Sequence, residues 1–134
     1  MTIPFWTLLV AILIPFVLAM LGDYARYREF GILDNAHPRE QSARLTGPGA
    51  RLWAAQQNAW EALALFAPSV FVAHLAAADA HQSAWLAIVF CLARMAHPVF
   101  YVLNRSTLRS ISYLVALGCC LWLFWLAAKT PSPG

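Results

Sequence analysis

Charged residues are scarce in this sequence of 134 amino acids: they make up 11% of the chain, against 61% hydrophobic residues. A soluble domain of this length cannot bury so much apolar surface, so the composition argues against a water-soluble fold and predicts one that needs lipid. The nine basic and six acidic residues give a net charge of +3, with no dense run of Lys or Arg that could follow a phosphate backbone. We therefore expect no binding to nucleic acid.

Cysteine, linkers and repeats are equally sparse. The three cysteines, Cys91, Cys119 and Cys120, lie inside apolar stretches without metal-type spacing, so we predict reduced packing residues. No histidine pair has the helical spacing to a carboxylate that a metal site needs, and we predict no metal. Because no Gly/Ser-rich linker or repeat divides the chain, residues 1–134 are expected to form a single domain.

Long uncharged segments dominate the sequence instead. The first, residues 3–21, would rise about 1.5 Å per residue as a helix and so cover the roughly 30 Å hydrocarbon core. Residues 1–4 lack the Lys or Arg of a signal peptide, so this segment is expected to be an uncleaved span. Hydropathy and breaker residues together predict an all-α, integral membrane four-helix bundle, with spans at about 3–21, 51–78, 84–103 and 110–128.

Arginine is concentrated in the connections between these predicted spans. Residues 22–50, predicted as a polar loop, and residues 104–109 hold several arginines, whereas Lys129 alone follows the fourth span. Four spans place both of these connections on one side, which the positive-inside rule assigns to the cytoplasm, and both termini on the opposite side. Arg26 and Arg28 are expected to do no more than fix this topology.

A polar stripe runs along the second predicted span. Arg51, Asn58 and Glu61 are separated by seven and then three residues, which places them on one face of a helix at successive turns. Glu61 stands out in this group, because an ionised carboxylate near the hydrocarbon region is costly unless it is paired.

A second stripe runs along the third predicted span. Arg94, His97, Tyr101 and Arg105 follow one another at intervals of three, four and four residues on an otherwise apolar helix. The spacing alone favours a hydrogen-bonded core role for His97 over a ligand or proton-relay role. Tyr101 also fits an aromatic anchor at the membrane interface.

The two stripes are expected to face each other, with Glu61 and Arg94 as an intramembrane ion pair and Asn58 bonding to the groups that remain. A functional pair and a purely structural one are equally compatible with the spacing. Pro98 cannot donate to the carbonyl of Arg94, so we predict a kink there that opens a cavity. A basic rim suited to an anionic ligand is expected at the cytoplasmic mouth, formed by Arg51, Arg105 and Arg109.

Two groups of residues in this pattern resemble motifs of the MAPEG family, the membrane-associated proteins in eicosanoid and glutathione metabolism. The first group comprises the stretch 34–39 (Asp-Asn-Ala-His-Pro-Arg), Arg44, Gly47, Arg51 and the pattern Ala55-x-x-Asn58-x-x-Glu61. The second is Ala93-Arg94-x-x-His97-x-x-x-Tyr101. The likeness extends over nearly the whole chain.

The resemblance implies a homotrimer that holds glutathione, as co-substrate, between neighbouring subunits near the cytosolic face. It implies a binding role for Arg51, Asn58, Glu61, Arg94, His97 and Tyr101. Arg109 resembles the arginine that activates the thiol, although Arg105 competes for that assignment, and Tyr101 would donate a hydrogen bond to the sulfur. These are the expected catalytic residues.

The functional hypothesis that follows is a membrane-bound glutathione transferase or peroxidase acting on lipophilic electrophiles. Two alternatives stay open. A small proton-coupled multidrug exporter would use a membrane carboxylate, here Glu61, although such exporters keep theirs in the first helix. A non-catalytic trimeric relative is suggested by Ala54 and Ala62, which replace an arginine and a tyrosine found in some glutathione-using members.

Overall fold

The chain is helical almost throughout in a computed structural model, which describes residues 1–131. Four long helices and one short one follow each other in the described part: α1 Ile3–Phe30, α2 Pro38–Ala43, α3 Gly47–Leu75, α4 Ala80–Val102 and α5 Ser106–Lys129. The predicted all-α class is confirmed. Residues 132–134 of the predicted domain lie outside the described residues.

The first helix differs most from its predicted bounds. It does not stop at residue 21 but continues to Phe30, where Gly31 adopts a left-handed conformation (φ 74°) and donates its N–H to the carbonyl of Tyr27. Charged residues mark where the hydrophobic segment ends, but they do not end the helix. A helix that continues into the interfacial region exposes its polar side chains to water. The prediction of a loop over 22–50 is therefore wrong for the end of α1 and for α2.

The connection between α1 and α3 is held by a buried cation. Arg26 is 5% exposed. It donates to Asp23 Oδ1 at 2.6 Å, to Gln41 Oε1 at 3.1 Å and to the carbonyl of Pro38 at 3.3 Å. An arginine that ties α1 to α2 in this way does more than set topology, so the modest role predicted for it is wrong.

The resembling stretch 34–39 is a turn that begins α2. Asp34 Oδ1 accepts the amide N–H groups of Ala36 and His37, and Pro38 follows as the first residue of the helix. The hydrogen bond from the His37 amide lowers the pKa of the Asp34 carboxyl. Glu29, near the end of α1, accepts the N–H of Thr46, the residue before α3. The end of α1 therefore lies beside the start of α3.

Small and aromatic residues fill the interior between the long helices. Phe66 of α3 and Phe90 of α4 are buried and stack with their ring centroids 3.7 Å apart. Alanines occupy much of the remaining core and allow close approach of the backbones: Ala11, Ala59, Ala62, Ala87 and Ala116. α3 contacts α1, α4 and α5.

Three helices, α1, α4 and α5, are long and apolar enough to cross a membrane. This agrees with an integral membrane protein. α3 is the longest helix, with 29 residues, but it does not meet the same criterion, because its first half carries Arg51, Gln56, Gln57, Asn58 and Glu61. The second predicted span is thus a helix of sufficient length whose crossing depends on covering its polar stripe.

We expect α3 to cross the membrane, since at about 1.5 Å per residue it is long enough to do so. Cysteines introduced at Arg39, before α3, and at Ala80, after it, should then react with a membrane-impermeant maleimide from opposite sides of sealed vesicles. The wild-type chain, whose three cysteines are buried, provides the background. Labelling of both positions from the same side would show that α3 does not span.

Candidate functional site

The buried guanidinium of Arg94 lies at the centre of the polar residues. Arg94 is 2% exposed, and its Nη2 reaches from α4 to α3, where it donates to the side-chain oxygen of Asn58 at 2.9 Å and to the carbonyl of Asn58 at 3.2 Å. Asn58 in turn donates its Nδ2 to Glu61 Oε2 at 3.1 Å. The three residues therefore form one hydrogen-bonded chain across the interface between the two helices.

The predicted ion pair between Glu61 and Arg94 is not formed. Within residues 1–131, the ion pairs are Arg26 with Asp23 and, when its imidazole is protonated, His37 with Asp34. Asn58 lies between the two charges: its amide oxygen faces the guanidinium while its amide nitrogen faces the carboxylate. An amide can serve both partners because it is donor and acceptor at once. Glu61 is consequently left on the exposed surface of the protomer.

Two buried nitrogen atoms near the Arg94–Asn58–Glu61 hydrogen bonds lack a hydrogen-bond partner among the described residues. They are Nη1 of Arg94 and Nδ1 of His97, and His97 is itself only 2% exposed. Leaving a buried donor or acceptor unpaired costs about 1–3 kcal/mol. Such atoms are therefore places where a ligand or water gains by binding.

Tyr101 lies between a histidine and an arginine. Its ring is edge-on to His97 at a centroid distance of 5.6 Å, and the guanidinium carbon of Arg109 lies 4.6 Å from the centre of the same ring. This is cation–π geometry. Arg105 is exposed where α5 begins, and its carbonyl accepts the N–H of Arg109. Of the two competing arginines, Arg109 is the one placed against Tyr101.

Arg51 lies at the end of α4 that carries Tyr101. Its Nε donates to the carbonyl of Val102 at 3.0 Å. Val102 is the last residue of α4, where carbonyls have no partner within the helix and the helix dipole favours a positive charge. This contact places the start of α3 beside the end of α4, so Arg51, Arg105 and Arg109 all lie at one end of the helices, as predicted.

A separate polar pocket lies between α1, α2 and α3 and has a volume of about 360 Å³. Its wall includes Arg26, Asp23, Gln56 and Gln57. The sequence reasoning treated Arg26 as a topology signal and missed it as a pocket residue. The available signal was Asp23, which precedes Arg26 by three positions and pairs with it on one face of α1.

Removing the charge of Glu61 is expected to leave stability nearly unchanged, because this carboxylate is exposed and not paired with Arg94. Glu61→Gln should shift the free energy of unfolding of the separated protomer in detergent by no more than about 0.5 kcal/mol, a shift typical of surface substitutions. Glu40→Gln, at another exposed glutamate, is the matched control. A loss of about 3–5 kcal/mol, as expected from breaking a buried ion pair, would contradict this geometry.

Comparison with known proteins gives one match. The family model of the MAPEG family matches residues 3–129. No curated protein and no solved structure matches the chain. The matched region contains all five helices of the described part and every residue of the hydrogen-bonded chain from Arg94 to Glu61. With nearly its whole length covered, the chain belongs to the MAPEG family of membrane proteins.

Proposed function

We propose that this protein is a membrane-bound transferase or peroxidase that uses glutathione against lipophilic electrophiles. The observation that carries the proposal is the convergence of basic, amide and phenol groups from three helices at one end of the molecule. Family membership supports it. The proposed co-substrate has two carboxylates, one ammonium group and one thiol, and each finds a complementary group among these residues.

The thiol is the group whose chemistry needs a cation. A free thiol has a pKa of about 8.5 and is mostly protonated at neutral pH, whereas the thiolate is the nucleophile. A guanidinium beside the sulfur stabilises the thiolate, and Arg109 is our choice for this role because it lies against Tyr101. The hydroxyl of Tyr101 would then donate a hydrogen bond to the same sulfur.

The charged ends of the tripeptide would be held by the remaining groups. Arg94 has a free Nη1, and Arg51 uses only its Nε on Val102, so both retain N–H donors for carboxylates. Glu61 presents an exposed carboxylate for the ammonium group. Asn58 holds Arg94 and Glu61 in fixed relation, which makes it a positioning residue.

A trimeric assembly is part of this proposal. Glu61 and its neighbour Trp60, which is 41% exposed, lie on the outer face of α3 in a single protomer. A carboxylate in a membrane protein normally faces a cavity or a partner, because exposure to hydrocarbon is costly. A second copy packed on this face would cover α3 and enclose the site, while the lipophilic substrate would reach it from the bilayer.

Glutathione binding to the detergent-purified protein, measured by calorimetry together with the ultraviolet absorbance of the thiolate, tests the proposal. Wild type should bind and show a thiolate signal. Arg109→Ala should still bind but lose most of the signal, because the charge beside the sulfur is gone. Arg105→Ala is the matched control, an exposed arginine four positions earlier, and should retain both.

Two results would count against the proposal. Absence of binding at millimolar glutathione would remove the co-substrate and favour a non-catalytic relative. A thiolate signal that survives in Arg109→Ala but disappears in Arg105→Ala would keep the enzyme and transfer the activating role to Arg105.

A further inference from the structure

An apolar groove lies between α1 and α4, away from the polar residues of the candidate site. It has a volume of about 570 Å³. Residues of α1 from Val10 to Leu21 form one wall, and Pro98, Val99 and Val102 of α4 form part of the other. Side chains at this surface are exposed in the protomer, with Val99 at 54%. We refer to this feature as the α1/α4 groove.

The groove is continuous with a second pocket at one end. Leu21, Leu52 and Val102 line both the α1/α4 groove and a neighbouring pocket of about 750 Å³. That pocket also contains Arg28 and Glu29, one cation and one anion near the end of α1. The α1/α4 groove therefore opens into a pocket whose lining includes one positively and one negatively charged side chain.

The length of the groove fits one leaflet of a bilayer. Val10 and Leu21 lie eleven positions apart on α1, a distance of about 16 Å along the helix. The hydrocarbon core is about 30 Å thick, so a leaflet is roughly half of that. An acyl chain that fills the groove would thus have its glycerol end at Leu21, next to the pocket that holds Arg28.

The charges at the end of the groove are available to a headgroup. Arg28 is exposed, and its Nη1 donates to the hydroxyl of Tyr24 at 3.1 Å. Within residues 1–131, its other N–H groups and the tyrosine O–H donate to no protein group. Glu29 accepts three hydrogen bonds from Thr46, two from its N–H and one from its hydroxyl, but its carboxylate remains exposed. A phosphate matches Arg28 and an amine matches Glu29.

We propose that the α1/α4 groove binds a zwitterionic glycerophospholipid with a primary amine, that is, phosphatidylethanolamine. One acyl chain lies along α1 and α4, the phosphate contacts Arg28 and Tyr24, and the ammonium group contacts Glu29. The inference is independent of glutathione chemistry. It does have a structural link to the site, because the lipid would touch Val102, whose carbonyl anchors Arg51.

Native mass spectrometry of the full-length protein, equilibrated with equal amounts of dioleoyl phosphatidylethanolamine and dioleoyl phosphatidylcholine, tests this inference. Wild type should retain one phospholipid per protomer, with phosphatidylethanolamine preferred. Val99→Trp should reduce retention at least tenfold by filling the groove. Leu92→Trp is the matched control, since Leu92 is 61% exposed on the same helix and does not line the groove.

Variants of the residues proposed to contact the headgroup, which lie outside the hydrocarbon region, test the charge contacts separately from the groove. Arg28→Gln should weaken lipid retention about fivefold, the effect of roughly one interfacial arginine, while Arg44→Gln, an exposed control, should not. Glu29→Gln should abolish the preference for phosphatidylethanolamine over phosphatidylcholine.

Three outcomes would overturn the inference. Undiminished retention in Val99→Trp would show that lipid binds elsewhere. Retention of a free fatty acid in place of a phospholipid would rule out the headgroup contacts. Efficient crosslinking of Val99→Cys protomers to each other would show that a second copy of the chain covers the groove.

Discussion

A guanidinium buried between α3 and α4 is the constraint on which the rest of this structure depends. Such a charge is expensive in a membrane protein unless polar groups meet it. Here Asn58 meets Arg94 with both its side-chain oxygen and its carbonyl. These contacts set the rotation of α3 against α4. Ala55 and Ala59, on either side of Asn58 in the sequence, are small buried residues that pack with Leu18 of α1 and Tyr101 of α4.

Several features of the candidate site follow from that rotation. With Asn58 turned toward α4, Glu61 is directed to the outer surface of α3, the face on which the proposed ammonium group and second protomer would meet it. Arg51, two turns earlier, reaches the end of α4, and Tyr101 is positioned beside Arg109 of α5. The polar groups thus converge at one end of the molecule, while the α1/α4 groove stays apolar on another face.

The sequence predicts the helices well and the partners of their polar residues less well. Periodicity identifies four long helices and most of both polar stripes, because a 3.6-residue repeat fixes which side chains share a face. Arg105, predicted on the stripe of the third span, lies instead beyond the end of α4, as the cap of α5. Periodicity cannot determine which side chain of the α3 stripe contacts Arg94 on α4. The contact predicted for Glu61 is made by Asn58. The continuation of α1 to Phe30 was also missed, since hydropathy reports the edge of the hydrocarbon region and not the end of a helix. The buried role of Arg26 depends on Gln41, fifteen residues away, which no local pattern reveals.

The most direct test of the central contact is a double-mutant cycle between Asn58→Ala and Arg94→Met, measured as free energies of unfolding in detergent. A hydrogen bond from a charged group to Asn58 predicts a coupling energy of about 1.5–3 kcal/mol. Asn58→Ala should then be far more costly in the wild-type background than in the absence of the guanidinium. Additivity within about 0.5 kcal/mol would show that the two residues do not depend on each other, and would contradict the account.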